Sequence, residues 1–148
     1  MRRSARPLAA ALAVLASCQP ALAEESTRDK FLENHSCIDC KMDEVDLSGD
    51  SYVMVDLTRA YLNNVDFTDS GLLIAIFDDA RIERTSFRNA SLRGASFANA
   101  RFRDVDFEGA DLAGARFKGA HIDESAFEKA RTCNTLLPDG ATLMSNNC

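Results

Sequence analysis

The chain has 148 residues and a formal net charge of −6, with 23 acidic against 17 basic side chains. This acidity argues against direct nucleic-acid binding, because no basic surface is available to replace phosphate counterions. The excess of carboxylates is otherwise typical of a well-solvated protein surface.

Residues 1–23 have the pattern of an export signal. Three arginines open the segment, an apolar stretch too short to span a membrane runs from Leu8 to Ala16, and an A-x-A site ends at Ala23. Cleavage after Ala23 gives a soluble periplasmic or secreted protein. It also lowers the net charge to −9, because three arginines leave and no acidic residue does.

A second interpretation of this segment competes with the first. The run from Leu15 to Cys18 resembles a bacterial lipobox, in which Cys18 becomes the acylated first residue of the mature chain. The signal would then be residues 1–17, and the protein would be a lipoprotein tethered to a membrane. Both interpretations predict export.

Residues 24–41 are predicted to form an N-terminal cap. Ser26 to Asn34, with Asp29 three positions after Ser26, predicts a single helix. Cys37 and Cys40 follow as a C-x-x-C motif. A cap is needed because the end coil of any stacked repeat structure presents unpaired backbone and a bare core.

Residues 42–131 contain a five-residue repeat. Every fifth residue from Leu47 to Phe127 is large and apolar, and the residue two positions earlier is small in sixteen of seventeen cases. Gly, Asn or Asp stands two positions later in eleven of seventeen. These three residue types tolerate tight corners. Since neither a helix nor a long strand has this period, each unit is predicted to be a short strand followed by a corner.

A longer period of twenty residues sorts these units into columns. Leu47, Phe67, Phe87, Phe107 and Phe127 share one column, and similar columns of Leu and Phe follow from the other units. Four sides of five residues make a square coil, and identical residues in a column suit coils stacked at the strand spacing of about 4.7–4.9 Å. The seventeen units predict about four coils.

Residues 132–148 are predicted to be a C-terminal disulfide cap. Cys37 and Cys40 stand at one end of the stack, whereas Cys133 and Cys148 stand at the other. Cross-pairing would have to span the whole stack, so the expected disulfides are Cys37–Cys40 and Cys133–Cys148. Such bonds fit an oxidising compartment.

The repeat units resemble those of the pentapeptide-repeat family. Ala110 to Gly114 reads A-D-L-A-G and Val65 to Asp69 reads V-D-F-T-D, against a family unit of A-(D/N)-L-x-x. The resemblance implies an all-β fold, a right-handed quadrilateral β-helix. The C-x-x-C leader and the tail from Cys133 to Gly140 are similar to those of exported members.

One group of residues departs from this pattern. Large apolar side chains occupy outward positions on one side of the first two coils, and such a patch needs a cover. These residues are Val53, Met54, Leu73 and Ile74. The favoured interpretation is that the N-terminal segment with Phe31 and Leu32 folds over them. The alternative is a surface for a partner or for self-association.

The function expected from these features is that of an exported, non-enzymatic structural or protein-binding module, with no cofactor, metal or catalytic residue. Its protein partner is unknown, and self-association through the apolar residues or the solenoid ends is one possibility. The main alternative is a thiol-redox or metal-handling protein that uses Cys37 and Cys40. A third interpretation is a DNA mimic that inhibits topoisomerases, as some members of the pentapeptide-repeat family do. It is less favoured, because that role requires the cytosol whereas the N-terminal segment predicts export.

Overall fold

The structure, a computed structural model, describes residues 27–144. The export segment, the lipidation candidate Cys18 and the tail cysteine Cys148 lie outside these residues, and what was expected of them stays a prediction. Within the described range, no helix combines the length and the apolar character needed to cross a bilayer.

The described chain opens with the helix α1 (Thr27–Asn34), which lies within the segment from Ser26 to Asn34 where the sequence predicts a helix. Four short strands follow at intervals of twenty residues: β1 (Lys41–Asp43), β2 (Tyr61–Asn63), β3 (Arg81–Glu83) and β4 (Arg101–Arg103). They pair in parallel in the order β1-β2-β3-β4. A 3₁₀ helix (Glu124–Phe127) and an antiparallel pair, β5 (Cys133–Leu136) and β6 (Thr142–Met144), complete the elements.

Backbone hydrogen bonds between successive coils hold the stack together. The Phe67 N–H donates to the Ser86 carbonyl at 2.8 Å, and the Ser86 N–H donates back to Val65 at 3.0 Å. The same pattern recurs on all four sides, with parallel bridges between residues twenty apart. The predicted quadrilateral coil is therefore confirmed, and each coil satisfies the backbone of the next.

Each side of the coil is named here after the first residue of its buried column. The Cys37 face contains Cys37, Leu57, Phe77, Phe97, Phe117 and Leu137. The Met42 face contains Met42, Leu62, Ile82, Phe102 and Ile122, of which the last two are partly buried. The Leu47 face contains Leu47, Phe67, Phe87, Phe107 and Phe127. The Tyr52 face contains Tyr52, Leu72, Leu92, Leu112 and Thr132.

The hydrogen-bond ladder continues on both sides of the predicted repeat range. It begins at Cys37, whose N–H donates to the Asp56 carbonyl at 2.7 Å, and it ends where Gly119 donates to Pro138 at 3.0 Å. The C-x-x-C motif is thus the first side of the first coil. The stack accordingly has about five coils, and β5 and β6 close its upper end.

The corners adopt left-handed backbone whether or not glycine is present. Asn64, Asp79 and Gly109 show it, with φ of 54°, 58° and 72°, as the sequence predicts. Met54 and Ile74 also have positive φ, although neither residue type favours it. The coil and the hydrogen bonds on both sides of each corner therefore impose the corner geometry. Residue types that favour this backbone occur at many corners but are not required.

Candidate interaction surface

Four large apolar side chains lie exposed together on the lower half of the Tyr52 face. Val53 and Leu73 directly follow the buried centres of the first two coils and are 43% and 36% exposed. Met54 and Ile74 occupy the adjoining corners and are 67% and 53% exposed. These four residues, called the apolar patch below, form the largest concentration of exposed apolar side chains among residues 27–143, where Ile38 is the one other large example.

The backbone of the apolar patch is strained at its corners. Met54 has φ of 58° and Ile74 has φ of 57°, whereas the equivalent corners of the next two coils are Gly94 and Gly114. A side chain in left-handed backbone costs roughly 1–2 kcal/mol, and a β-branched residue is a clear outlier there. Ile74 thus combines an unfavourable backbone with an exposed apolar side chain. The coil imposes this backbone, because the corner at Arg59 has φ of 56° as well.

The prediction that Phe31 covers the apolar patch is wrong. Phe31 is fully buried, and its ring lies 5.3 Å from that of Tyr52, centroid to centroid. Helix α1 therefore closes the bottom of the core, where Tyr52 would otherwise be bare, and leaves the patch open to solvent. The physical reason is that the open end of the stack buries the Phe31 ring on more sides than the flat outer face can.

The upper half of the Tyr52 face, from the third coil onward, has charged and small side chains in place of large apolar ones. Asp111 accepts from Arg93 at 3.2 Å and lies 3.6 Å from an Arg131 nitrogen. The positions beside these charges are small, as at Ala113 and Gly114. This half is therefore flat and its charges are paired, whereas the lower half is apolar and raised by large side chains.

The Met42 face concentrates charge around one carboxylate. The side chain of Glu83 is 4% exposed and contacts three guanidinium groups, those of Arg81 at 2.6 Å, Arg84 at 3.9 Å and Arg103. The hydrogen bond from Arg81 holds the pKa of the Glu83 carboxyl below its ordinary value, and the charge of Arg103 acts in the same direction. Because its arginines are already engaged, this cluster is an ion-pair network between coils.

The C-x-x-C motif is built into the first coil. Cys37 is only 8% exposed, at the start of the Cys37 face, and Cys40 is partly buried just past the corner at Asp39, where the Met42 face begins. Their Cα atoms are 5.3 Å apart and their sulfur atoms lie at bonding distance. The sequence signal for this placement exists, since counting back by fives from Leu47 reaches Met42 and then Cys37. Cys133 lies in β5, and its expected partner is outside the described residues.

One cleft interrupts the regular surface of the last coil. It has a volume of about 440 Å³ and lies between the corner at Asp104 and the 3₁₀ helix that follows Asp123. There the Ala126 N–H bonds Asp123 within its own turn instead of the coil below. The walls mix Phe102, Val105 and Ile122 with carboxylates. In residues 27–144 no cluster of histidine, cysteine or carboxylate side chains has the grouping of a metal site.

Comparison with known proteins agrees with this architecture. The family profile described as "Pentapeptide repeat region" matches residues 55–136. Among solved structures, HetL of the cyanobacterium Nostoc sp. strain PCC 7120, a pentapeptide repeat protein involved in heterocyst differentiation regulation, is 24% identical with a TM-score of 0.50. The match covers 70% of this chain but only 43% of HetL. It supports the right-handed quadrilateral β-helix.

Two further solved structures are similar at lower scores. A pentapeptide repeat protein of the Arabidopsis thaliana thylakoid lumen is 22% identical, with 73% of this chain and 70% of that chain covered and a TM-score of 0.41. Rfr23 of the cyanobacterium Cyanothece 51142 is 20% identical, with coverages of 78% and 96% and a TM-score of 0.38. No curated protein matches the sequence.

Proposed function

The chain belongs to the pentapeptide-repeat family, and we propose that it is an exported, non-enzymatic member that acts as a structural or protein-binding module. The observation that carries this proposal is the apolar patch. It is exposed on a rigid β-helix, and at two of its positions large apolar residues, Met54 and Ile74, stand at corners where the coil imposes left-handed backbone.

The core supports a binding function over catalysis. Its columns are filled by side chains, with Phe77, Phe97 and Phe117 stacked ring on ring at 4.7 and 4.8 Å. Because side chains fill the coils within residues 27–144, this part of the core has no room for a substrate, and the flat outer faces are suited to contacts with another macromolecule. The absence of a charged side chain from the apolar patch makes a protein surface the fitting type of partner.

Export is proposed from the N-terminal sequence and from the cysteine pair at the start of the first coil. The segment up to Ala23 has the three parts of a signal peptide, and Cys18 offers the alternative of a lipid anchor. The sulfurs of Cys37 and Cys40 lie at bonding distance, as suits a protein folded in the periplasm or outside the cell. The destination is thus the periplasm, the medium or a membrane surface.

A thiol-redox or metal-handling role for Cys37 and Cys40 is the second candidate. The observation in its favour is the closeness of the two sulfurs. Against it stands the burial of Cys37 in the first column, because reactive cysteines need access to solvent. In the favoured proposal the pair is a structural disulfide that ties the first side of the coil to the start of the second, across the corner between them.

The experiment that tests the proposed function is the intact mass of the native protein from soluble and membrane fractions, with and without reduction and alkylation. A chain that starts at Glu24 supports a soluble exported module, and one that starts at Cys18 with acyl mass supports a tethered module. A full-length chain in the cytosol would refute export. Free thiols at Cys37 and Cys40 before reduction would favour the redox or metal role.

A further inference from the structure

We propose that the Tyr52 face is a homodimer interface, in which two copies of the chain pack antiparallel about a two-fold axis. The axis lies in the interface, perpendicular to the stack, between the second and third coils. The apolar patch of each copy then covers the flat upper half of the other. This proposal supplies a partner for the binding module proposed above.

The first argument is the order of residues along the corner column, which is formed by the corner residue two positions after each buried centre of the Tyr52 face. From bottom to top the first four coils contribute Met54, Ile74, Gly94 and Gly114 to this column, and the fifth coil adds Asn134, which lies beyond the proposed contact. A two-fold axis of this orientation sets each column against itself in reversed order. Met54 therefore faces Gly114 of the second copy, and Ile74 faces Gly94. Each large side chain meets a position without one.

The neighbouring column has the same complementarity. It reads Val53, Leu73, Arg93 and Ala113 in the same direction. Reversal places Val53 against Ala113 and Leu73 against Arg93, whose aliphatic stem can cover an apolar side chain while its guanidinium keeps Asp111 at 3.2 Å. A parallel dimer would instead crowd all the large side chains at one end and set small residues against small ones at the other.

The second argument is that Gly94 and Gly114 have no crowding neighbour where a side chain would begin. A Cβ added at Gly94 or Gly114 would find its nearest neighbour in this chain at 3.7 or 3.8 Å, an ordinary contact. A Cβ at Gly109 would instead collide with the Asn89 amide oxygen of the coil below. Neither missing Cβ is crowded within this chain, although the Ile74 side chain borders Gly94, so a side chain of a second copy can approach both glycines.

Charge is the third argument. The positions beside the buried column of the Tyr52 face contain three charged residues, Arg93, Asp111 and Arg131, which are paired with one another. The corresponding positions of the Leu47 face contain five carboxylates and one arginine. Two copies that met through the Leu47 face would bring like charges together, whereas contact through the Tyr52 face removes few unpaired charges from water.

The interface is small, so the dimer is expected to be weak. The contact spans about four coils at 4.7–4.9 Å each and is therefore roughly 20 Å long. A contact of this length on one narrow face buries less area than a standard interface does. We expect dissociation constants in the micromolar range or weaker, on the order of 10–100 µM. The processed chain should thus be monomeric when dilute and dimeric when concentrated.

Sedimentation equilibrium of the purified processed chain, from about 1 µM to about 1 mM, tests the association. The variant Ile74→Asn should weaken dimerisation at least about tenfold while it keeps the fold, since Asn accepts left-handed backbone. The control Ile38→Asn removes a similarly exposed apolar side chain, 47% against 53% for Ile74, from the Cys37 face and should dimerise like the parent. A parent chain that stays monomeric up to 1 mM, or an Ile74→Asn variant that dimerises like the parent, would overturn the proposal.

Disulfide trapping tests the orientation. An equimolar mixture of Leu73→Cys and Arg93→Cys chains should yield mainly mixed disulfide dimers, because these two positions face each other across the axis. Each variant alone should yield far fewer dimers. Cross-linking of Leu73→Cys alone at the same level as the mixture would refute the antiparallel arrangement.

These measurements are independent of export. A chain that is monomeric in vitro yet recovered from the envelope would refute the dimer and leave the proposed function standing. A chain that dimerises as described but remains full length in the cytosol would refute export and leave the dimer standing.

Discussion

The ring of Phe97 lies parallel to that of Phe77 one coil below, with centroids 4.7 Å apart and planes inclined by 10°. Phe117 continues the stack above Phe97 at 4.8 Å. Across the core, Phe87 and Phe107 meet Phe97 edge-on at 6.2 Å. Phe97 thus touches aromatic rings above, below and opposite, and both arrangements are favourable geometries for aromatic pairs.

Replacement of Phe97 by alanine should therefore be among the most destabilising changes in the chain. The variant loses a fully buried ring and leaves a cavity between two rigid coils, so we expect the free energy of unfolding to fall by about 3–5 kcal/mol. Urea unfolding measures it. Phe102→Ala is the matched control, because Phe102 is only partly buried and should cost less. Equal losses for the two variants would contradict the burial pattern.

Relief of backbone strain should stabilise the apolar patch. Ile74→Asn replaces a β-branched residue at φ of 57° by one that accepts this conformation, so we expect a gain of about 1 kcal/mol in the free energy of unfolding of the monomer. The reverse change at an equivalent corner, Asn64→Ile at φ of 54°, should lose a similar amount. Thermal unfolding at low protein concentration compares the two. A loss of stability in Ile74→Asn would show that its side chain is needed within the monomer.

The repeat made most of the core predictable, because each coil places the same residue type in the same position. The spacing alone places Phe67, Phe87 and Phe107 in one column, and they stack at 5.2 Å as expected. Met42 and Cys37 follow the same spacing, but the C-x-x-C motif favoured a separate cap over a first coil.

Other features depend on contacts distant in the sequence and could not be predicted from the repeat. The position of Phe31 beneath Tyr52, and hence the exposure of the apolar patch, depends on how the N-terminal helix meets the end of the stack. Similarly, the regular spacing continues through Ile122 and Phe127, although the corner at Glu124 is replaced by a 3₁₀ turn. Glutamate does not favour left-handed backbone, but neither does arginine, and the corner at Arg84 nevertheless has φ of 46°. The sequence therefore does not show that the corner at Glu124 differs from that at Arg84.

The ion-pair network around Glu83 should make stability depend on pH. Because the pKa of Glu83 is lower in the folded chain than its ordinary value, its ionised form contributes stability above the ordinary value, and this contribution is lost as the pH falls through the folded pKa. Glu83→Gln should be less stable than the parent at pH 7, and the difference should shrink in acid. Unfolding midpoints from pH 7 down to about pH 3 measure this difference.

Glu44→Gln is the control for that pH series, since Glu44 is an exposed corner residue. It should leave the pH profile of stability nearly unchanged. If Glu83→Gln and the parent differ equally at every pH, the loss would come from packing of the amide and not from the charge of Glu83.

The glycine corners offer a test in which backbone strain cancels. Gly114 and Gly119 both have φ of 71°, so alanine at either position meets the same backbone penalty of roughly 1–2 kcal/mol. Their surroundings differ, because a Cβ at Gly119 would approach Asn99 Oδ1 to 2.5 Å, whereas one at Gly114 would find nothing nearer than 3.8 Å. We therefore expect Gly119→Ala to lower the free energy of unfolding by about 1 kcal/mol more than Gly114→Ala.

The double variant Asn99→Ala/Gly119→Ala isolates this contact. Removal of the Asn99 amide should recover most of the additional loss, so that the second alanine costs no more than Gly114→Ala does, as a double-mutant cycle would show. Urea unfolding of dilute protein keeps dimerisation out of the comparison. Equal losses for the two single variants would mean that the Asn99 side chain moves aside freely, and that Gly119 is selected by its backbone conformation alone.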